Sequence, residues 1–185
     1  MQIGRSQIRE LAVLAIYSSL IDPQLDPKAC FNHLIANVNE LEEKFQYKEI
    51  NEEDFDQLKA KGLPFHSTSS VQTPKSRFDQ VKKVSEDEEV TPPAYFVELI
   101  EGVRQHQEVI DQQLNNHITG KWSVKRLESI NLAILRIAAY EILYGNQEKI
   151  PAVVAIDEAV ELAKRYSDEK SRRFINGVLS ALLVQ

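Results

Sequence analysis

Five cations crowd residues 164–173: Lys164, Arg165, Lys170, Arg172 and Arg173, against Asp168 and Glu169, with Phe174 next in line. Side chains of this kind bind phosphate as charge partners, and an adjacent aromatic ring can stack on a base. Several lie where a helix is predicted to start, and exposed backbone N–H groups there also favour phosphate. Lys170 and Arg173 share a face at i, i+3 spacing. Cations at a helix N-terminus oppose its dipole by about 0.3–1 kcal/mol each, so helix stability alone does not select them. The same residues also fit a solvated charged face with Phe174 in the core, and spacing leaves both readings open. Arg5 and Arg9, four apart, form a second small cluster at the other end of the chain. If the two termini pack together, both clusters join into one surface.

Other chemistry has less support. The sequence contains no phosphate-cradling glycine loop and no HExxH pattern. His106 and His117 are eleven apart and could share a helix face, but no carboxylate pattern accompanies them, so no metal site is predicted. Cys30 is the only cysteine, which excludes an intrachain disulfide and a cysteine-cluster zinc site. It has Lys28 as its only basic neighbour and falls on an apolar face, as a small core residue does. Carboxylate pairs such as Asp157 and Glu161 have ordinary solvated-helix spacing. No catalytic residue and no cofactor is predicted.

The elements that carry these residues read as helices. Ile8, Leu11, Ala12, Ala15 and Ile16 form one stripe of a helix over 6–19. Asp22-Pro23 and Asp26-Pro27 interrupt it, and a second helix is predicted over 27–45, with Phe31, Leu34, Ile35, Val38, Leu41 and Phe45 inward. After Pro93, Phe96, Leu99, Ile100, Val103, Val109, Ile110, Leu114 and Ile118 give a long amphipathic pattern that Gly120 ends. The stretch 127–144 is apolar almost all round and so belongs at the centre of a bundle. Gly145-Asn146 closes it, and Pro151 opens a helix with Val153, Ile156, Val160 and Ala163 inward. Ser167 or Asp168 caps the last helix, whose buried stripe is Phe174, Ile175, Val178 and Leu182. The predicted fold is all-α: about seven helices in two groups around the central one. Each fully buried large side chain contributes about 1.5–3 kcal/mol.

Between these blocks the composition changes. Residues 36–93 hold 13 acidic and 8 basic side chains, most of the chain's net charge of −6. Gly62-Leu63-Pro64 and the stretch HSTSSVQTPKS have turn and linker composition. A variable acidic insert is therefore predicted at about 47–93 within a single domain spanning 1–185, poorly ordered over 62–91, with a short helix possible over 52–61. Charges beyond roughly 8 Å are largely screened, so the insert does not forbid a basic patch elsewhere. The apolar run 11–16 is too short to span a bilayer, no signal peptide opens the chain, and one cysteine suits a reducing cytoplasm.

The wording of the helical blocks carries a resemblance. RLESINLAILRIAAYEILY, IPAVVAIDEAVELAKRYS and EKSRRFINGVL resemble the signature blocks of the NusB family of bacterial transcription antitermination factors. IRELAVLAIYS is similar to the family's opening, and FVELIEGVRQHQEVID to its central helix. The likeness covers about 5–20 and 94–183 and leaves 40–93 unmatched. It implies a small all-α RNA-binding protein without catalysis. The implied partners are boxA RNA of nascent ribosomal transcripts, the ribosomal protein NusE, and the RNA polymerase antitermination complex with other Nus factors, which suppresses premature, mainly Rho-dependent, termination. Carried over by position, the resemblance implies RNA contact at Arg5, Arg9, Lys170, Arg172, Arg173 and Phe174, and NusE contact at Tyr17 and Asn131. Three departures stand out: a thin N-terminal arginine cluster, Asn131 where an acidic residue is usual, and Asp157 where asparagine is usual. Lys170 stands where some members carry an acid. Two other readings remain: a NusB-like protein-interaction module without RNA affinity, and a domain detached from an RNA cytosine methyltransferase. The latter would need a glycine-rich cofactor loop and a catalytic cysteine.

Overall fold

The computed structural model describes residues 3–20, 23–45, 78, 89–120 and 123–184, with 38–45 as backbone only. The described residues form six α-helices and one short 3-10 turn. They are α1 (Arg5–Ser19), α2 (Pro27–Phe45), α3 (Ala94–His117), the turn Val124–Arg126, α4 (Ser129–Tyr144), α5 (Ala152–Tyr166) and α6 (Glu169–Leu183). The regular elements of the described residues are all helical, as the periodicity predicts.

Local chemistry sets the helix ends. The Gly4 N–H donates to Gln7 Oε1 at 2.7 Å at the start of α1. Asp26 accepts from the Ala29 N–H at 2.8 Å, and Pro27, which has no N–H to leave unpaired, occupies the first helical position of α2. Gly120 follows α3 with φ of 84°, a left-handed conformation that glycine adopts at little cost. Asp168, not Ser167, caps α6 by accepting from the Ser171 N–H at 2.7 Å. Leu127, predicted inside the central helix, instead follows the 3-10 turn, and Ser123 precedes that turn.

Helix α4 is the central element. Ile130 through Glu141 are buried without a break, and α1, α3, α5 and α6 all pack on it. Helix α2 is carried by α1 and α3, where Phe31 meets Phe96 edge-on at 5.0 Å. A helix buried on every face must also bury its polar side chains, and each one here has a partner. Arg136 holds Asp111 at 2.8 and 2.9 Å, Asn131 donates to Ser171, and Glu141 is held by Arg9.

Two apolar expectations fail. Val153 and Val109 are 58% and 45% exposed. The buried side of α5 is instead Ala152, Ala155, Ile156, Ala159, Leu162 and Ala163, a small-residue stripe that lets α4 approach closely. The predicted helix over 52–61 and most of the stretch 62–91 lie outside the described residues. Phe78 is described, and it is 2% exposed in the core. At 89–90 the chain is tied to α2: Asn32 accepts from the Val90 N–H at 2.6 Å, and Lys28 pairs with Glu89 at 2.7 Å.

Candidate nucleic-acid interface

The start of α6 presents its cations as the sequence predicts, but does not leave them equally free. Lys170 is exposed and pairs with no carboxylate among the described residues. Arg172 and Arg173 both bond to Glu169, Arg173 at 3.0 Å with its side chain 79% exposed. The two arginines, Arg172 first, hold the Glu169 carboxyl below its usual range, and the Ser171 backbone N–H does the same for Asp168. Glutamate three and four residues before the arginines is the helical pairing distance, so this partial neutralisation was available in the sequence. Phe174 is half-buried and packs against the core, so its ring is shared between the interior and the surface.

The other two cations of the run belong to α5. Lys164 pairs with Glu161. Arg165 lies 3.4 Å from the buried Glu10, whose carboxylate also accepts from the Tyr166 hydroxyl at 2.6 Å. These contacts, with Ser6 donating to Glu158 at 2.6 Å, fasten α1 along α5.

The N-terminal pair divides. Arg5 is exposed, its guanidinium 3.5 Å from the Lys149 carbonyl in the loop before α5. Arg9 is 3% exposed and makes three hydrogen bonds of 2.9 to 3.1 Å to Glu141. The expectation that Arg9 contacts RNA is therefore corrected: one helical turn from Arg5 the face passes into the core, and Glu141 consumes the charge. Burial lowers the Arg9 pKa, but the hydrogen bonds and charge of Glu141 outweigh it and leave it raised. The Tyr95 hydroxyl also donates to Glu141, and burial, then that bond, pushes the phenol pKa well up, so Tyr95 stays a donor. Nor do Arg5 and the α6 cluster merge. They flank opposite ends of α5, whose 15 residues span about 22 Å.

The two residues assigned to a protein partner also divide. Tyr17 is half-buried against the core at the last turn of α1. Asn131 is 5% exposed and donates to Ser171 Oγ at 3.1 Å. It faces α6 rather than open surface, which corrects the expectation that it touches NusE directly. Its place is under the first turn of α6, where it fixes the turn that carries Lys170.

Catalytic chemistry has no constellation among the described residues. No three His, Cys, Asp or Glu side chains there could hold a metal ion. His106 and His117 each place Nδ1 against the carbonyl four residues earlier, at 2.9 and 2.8 Å. Cys30 is buried, and burial pushes its thiol pKa up to about 11. No described helix is long and apolar enough to cross a membrane.

Sequence reasoning missed a groove at the Arg5 end. A cavity of about 460 Å³ opens between the starts of α1 and α3 and the α4–α5 loop, with Arg5, Tyr95, Glu98, Tyr140, Asn146 and Lys149 in its wall. No local pattern could show it, because its residues come from three separate segments.

Known proteins place this architecture. The chain is 43% identical over 106 residues to the transcription antitermination protein NusB of Enterococcus faecalis, covering 57% of this chain and 68% of that one. It is 46% identical over 94 residues to its Bacillus subtilis counterpart, covering 51% and 69%. Among solved structures, Thermotoga maritima NusB superposes with a TM-score of 0.58 at 22% identity, covering 100% of this chain and 94% of that one. A complex described as antitermination factors NusB and NusE with double-stranded RNA gives 0.58 at 22%, covering 97% and 96%. The sequence model of the NusB family matches residues 65–183, which brings 65–93, expected to lie outside the likeness, within it. On that match, and on the Enterococcus relative, the chain belongs to the NusB family, whose members are RNA-binding transcription factors and not enzymes.

Proposed function

We propose that this protein is an RNA-binding transcription antitermination factor. It binds the boxA element of nascent ribosomal RNA transcripts together with NusE, joins the RNA polymerase antitermination complex with other Nus factors, and suppresses premature, Rho-dependent termination. The observation that carries the RNA part is Lys170: an exposed cation on the first turn of α6, beside backbone N–H groups and next to Arg172 and Arg173. Such a turn attracts a phosphate backbone, and Phe174, one turn further along α6 from Lys170, is half-buried. Relatives named for antitermination, and a related complex that holds NusE and RNA, support the partners. Arg5, Lys170, Arg172, Arg173 and Phe174 are the proposed RNA contacts, and Tyr17 the proposed NusE contact.

Fluorescence anisotropy with a boxA-like RNA and a scrambled control, with and without equimolar NusE, tests this reading. Tighter binding to the boxA-like RNA in the presence of NusE is expected. Equal binding of both RNAs under both conditions would contradict it.

A further inference from the structure

The cations flanking the first turn of α6 are not equally committed, and the difference gives the basic surface a direction. On the α5 side, Lys164 is held by Glu161 and Arg165 by the buried Glu10, and Asp157 adds an exposed acid further along. On the α4 side stand Lys125 and Arg126, both exposed, in the 3-10 turn between α3 and α4. Lys125 forms no ion pair with any described residue. This turn lies at the same end of the bundle as Lys170. Asn131, in the first turn of α4, donates to Ser171 Oγ at 3.1 Å, and Ser171 adjoins Lys170. Lys125 precedes Asn131 by only six positions, a chain path of no more than about 20 Å. Residues 123–131 carry the two cations against one acid, Glu128, so the turn adds positive charge to that end. The turn is also a fixed mount. Val124 is 4% exposed, and its N–H donates to Asn115 Oδ1 of α3 at 2.9 Å. The Arg126 N–H closes the turn on the Ser123 carbonyl at 2.8 Å.

We infer that the single-stranded RNA held at Lys170 runs on toward the α3–α4 turn, where Lys125 pairs with a further phosphate of the same strand. Charge sets the path. Toward α5 a phosphate meets cations already paired with carboxylates, and then Asp157. Toward α4 it meets an open cation on backbone that is ordered before the RNA arrives, so less conformational freedom is lost on binding. Neutralising that phosphate releases its counterions, which makes the contact visible in the salt dependence of binding. This inference rests on the RNA-binding reading and adds to it one contact and a direction for the strand.

The test is a salt titration of binding to a boxA-like RNA, by anisotropy with NusE present. Lys125→Gln should lower the log–log slope by about 0.7, and the Lys125→Gln/Lys170→Gln double variant by about 1.4. Between about 50 and 200 mM salt, the wild type should therefore lose affinity about two- to threefold more than Lys125→Gln does. Lys164→Gln, on the side away from the strand, should leave the slope unchanged. Lys125 and Lys164 are exposed, so both variants should retain the wild-type unfolding midpoint. Superimposable salt lines for the wild type and Lys125→Gln overturn the path while leaving RNA binding intact, as does a slope that falls in Lys164→Gln instead. Lys125→Gln that loosens NusE in the absence of RNA, with the RNA slope unchanged, overturns it in favour of a protein contact. Absence of salt-sensitive binding by the wild type overturns both the path and the RNA-binding reading.

Discussion

Arg9 and Glu141 stand 132 residues apart in sequence and are joined by three hydrogen bonds in the interior, each side chain 4% exposed. The pair ties α1 to the central helix, and Tyr95 of α3 completes it. The position expected to contact RNA here serves the fold.

Removing one partner of such a pair strands a buried charge. Arg9→Ala or Glu141→Ala should each cost about 3–5 kcal/mol, read as a fall in the urea midpoint. Replacing both with methionine should cost less than either alone. A surface role for Arg9 would instead give a near-normal midpoint with weakened RNA binding.

Glu169 restrains the α6 arginines. Glu169→Gln should free Arg172 and Arg173 and tighten RNA binding, with a steeper salt dependence. Unchanged affinity and slope would mean that those arginines stay off the RNA.

The Asp168 cap links stability to pH. Its pKa is depressed on folding by the Ser171 N–H, so the contribution is present above the ordinary aspartate value of 3.8 and is lost as pH falls through the lower folded value. Asp168→Ala should cost about 1 kcal/mol near neutral pH, by urea denaturation, and almost nothing once the wild-type carboxyl is protonated. An equal loss at both pH values would contradict the cap.

Cys30 reports on the core. With its thiol pKa at about 11 and its side chain buried, it should react with a thiol reagent only as the protein unfolds. Labelling that outpaces unfolding would show that the site opens locally.

What the sequence disclosed was local. Pro27, Pro93, Gly120 and Pro151 mark helix boundaries because proline restricts its own backbone and Gly120 takes a positive φ. The largely apolar wording of 127–144 announced the central helix because a helix without a continuous polar face belongs among other helices. The failures are pairings between distant segments. Arg9 looks like a surface cation until Glu141 is placed beside it. Val153 looks inward until the alanines of α5 meet α4. Asn131 looks available until Ser171 covers it. The groove needed α1, α3 and the α4–α5 loop together, so its residues carried no spacing to read. The α6 cluster was legible as a set, and its neutralisation by Glu169 could have been read from i, i+3 and i, i+4 spacing.

The central claim is that the first turn of α6 holds RNA through Lys170. The most direct measurement is the salt dependence of boxA-like RNA binding, with NusE present, for the wild type and Lys170→Gln. Loss of one phosphate contact should lower the log–log slope by about 0.7 and weaken binding at every salt concentration. Superimposable lines for the two proteins would contradict the account.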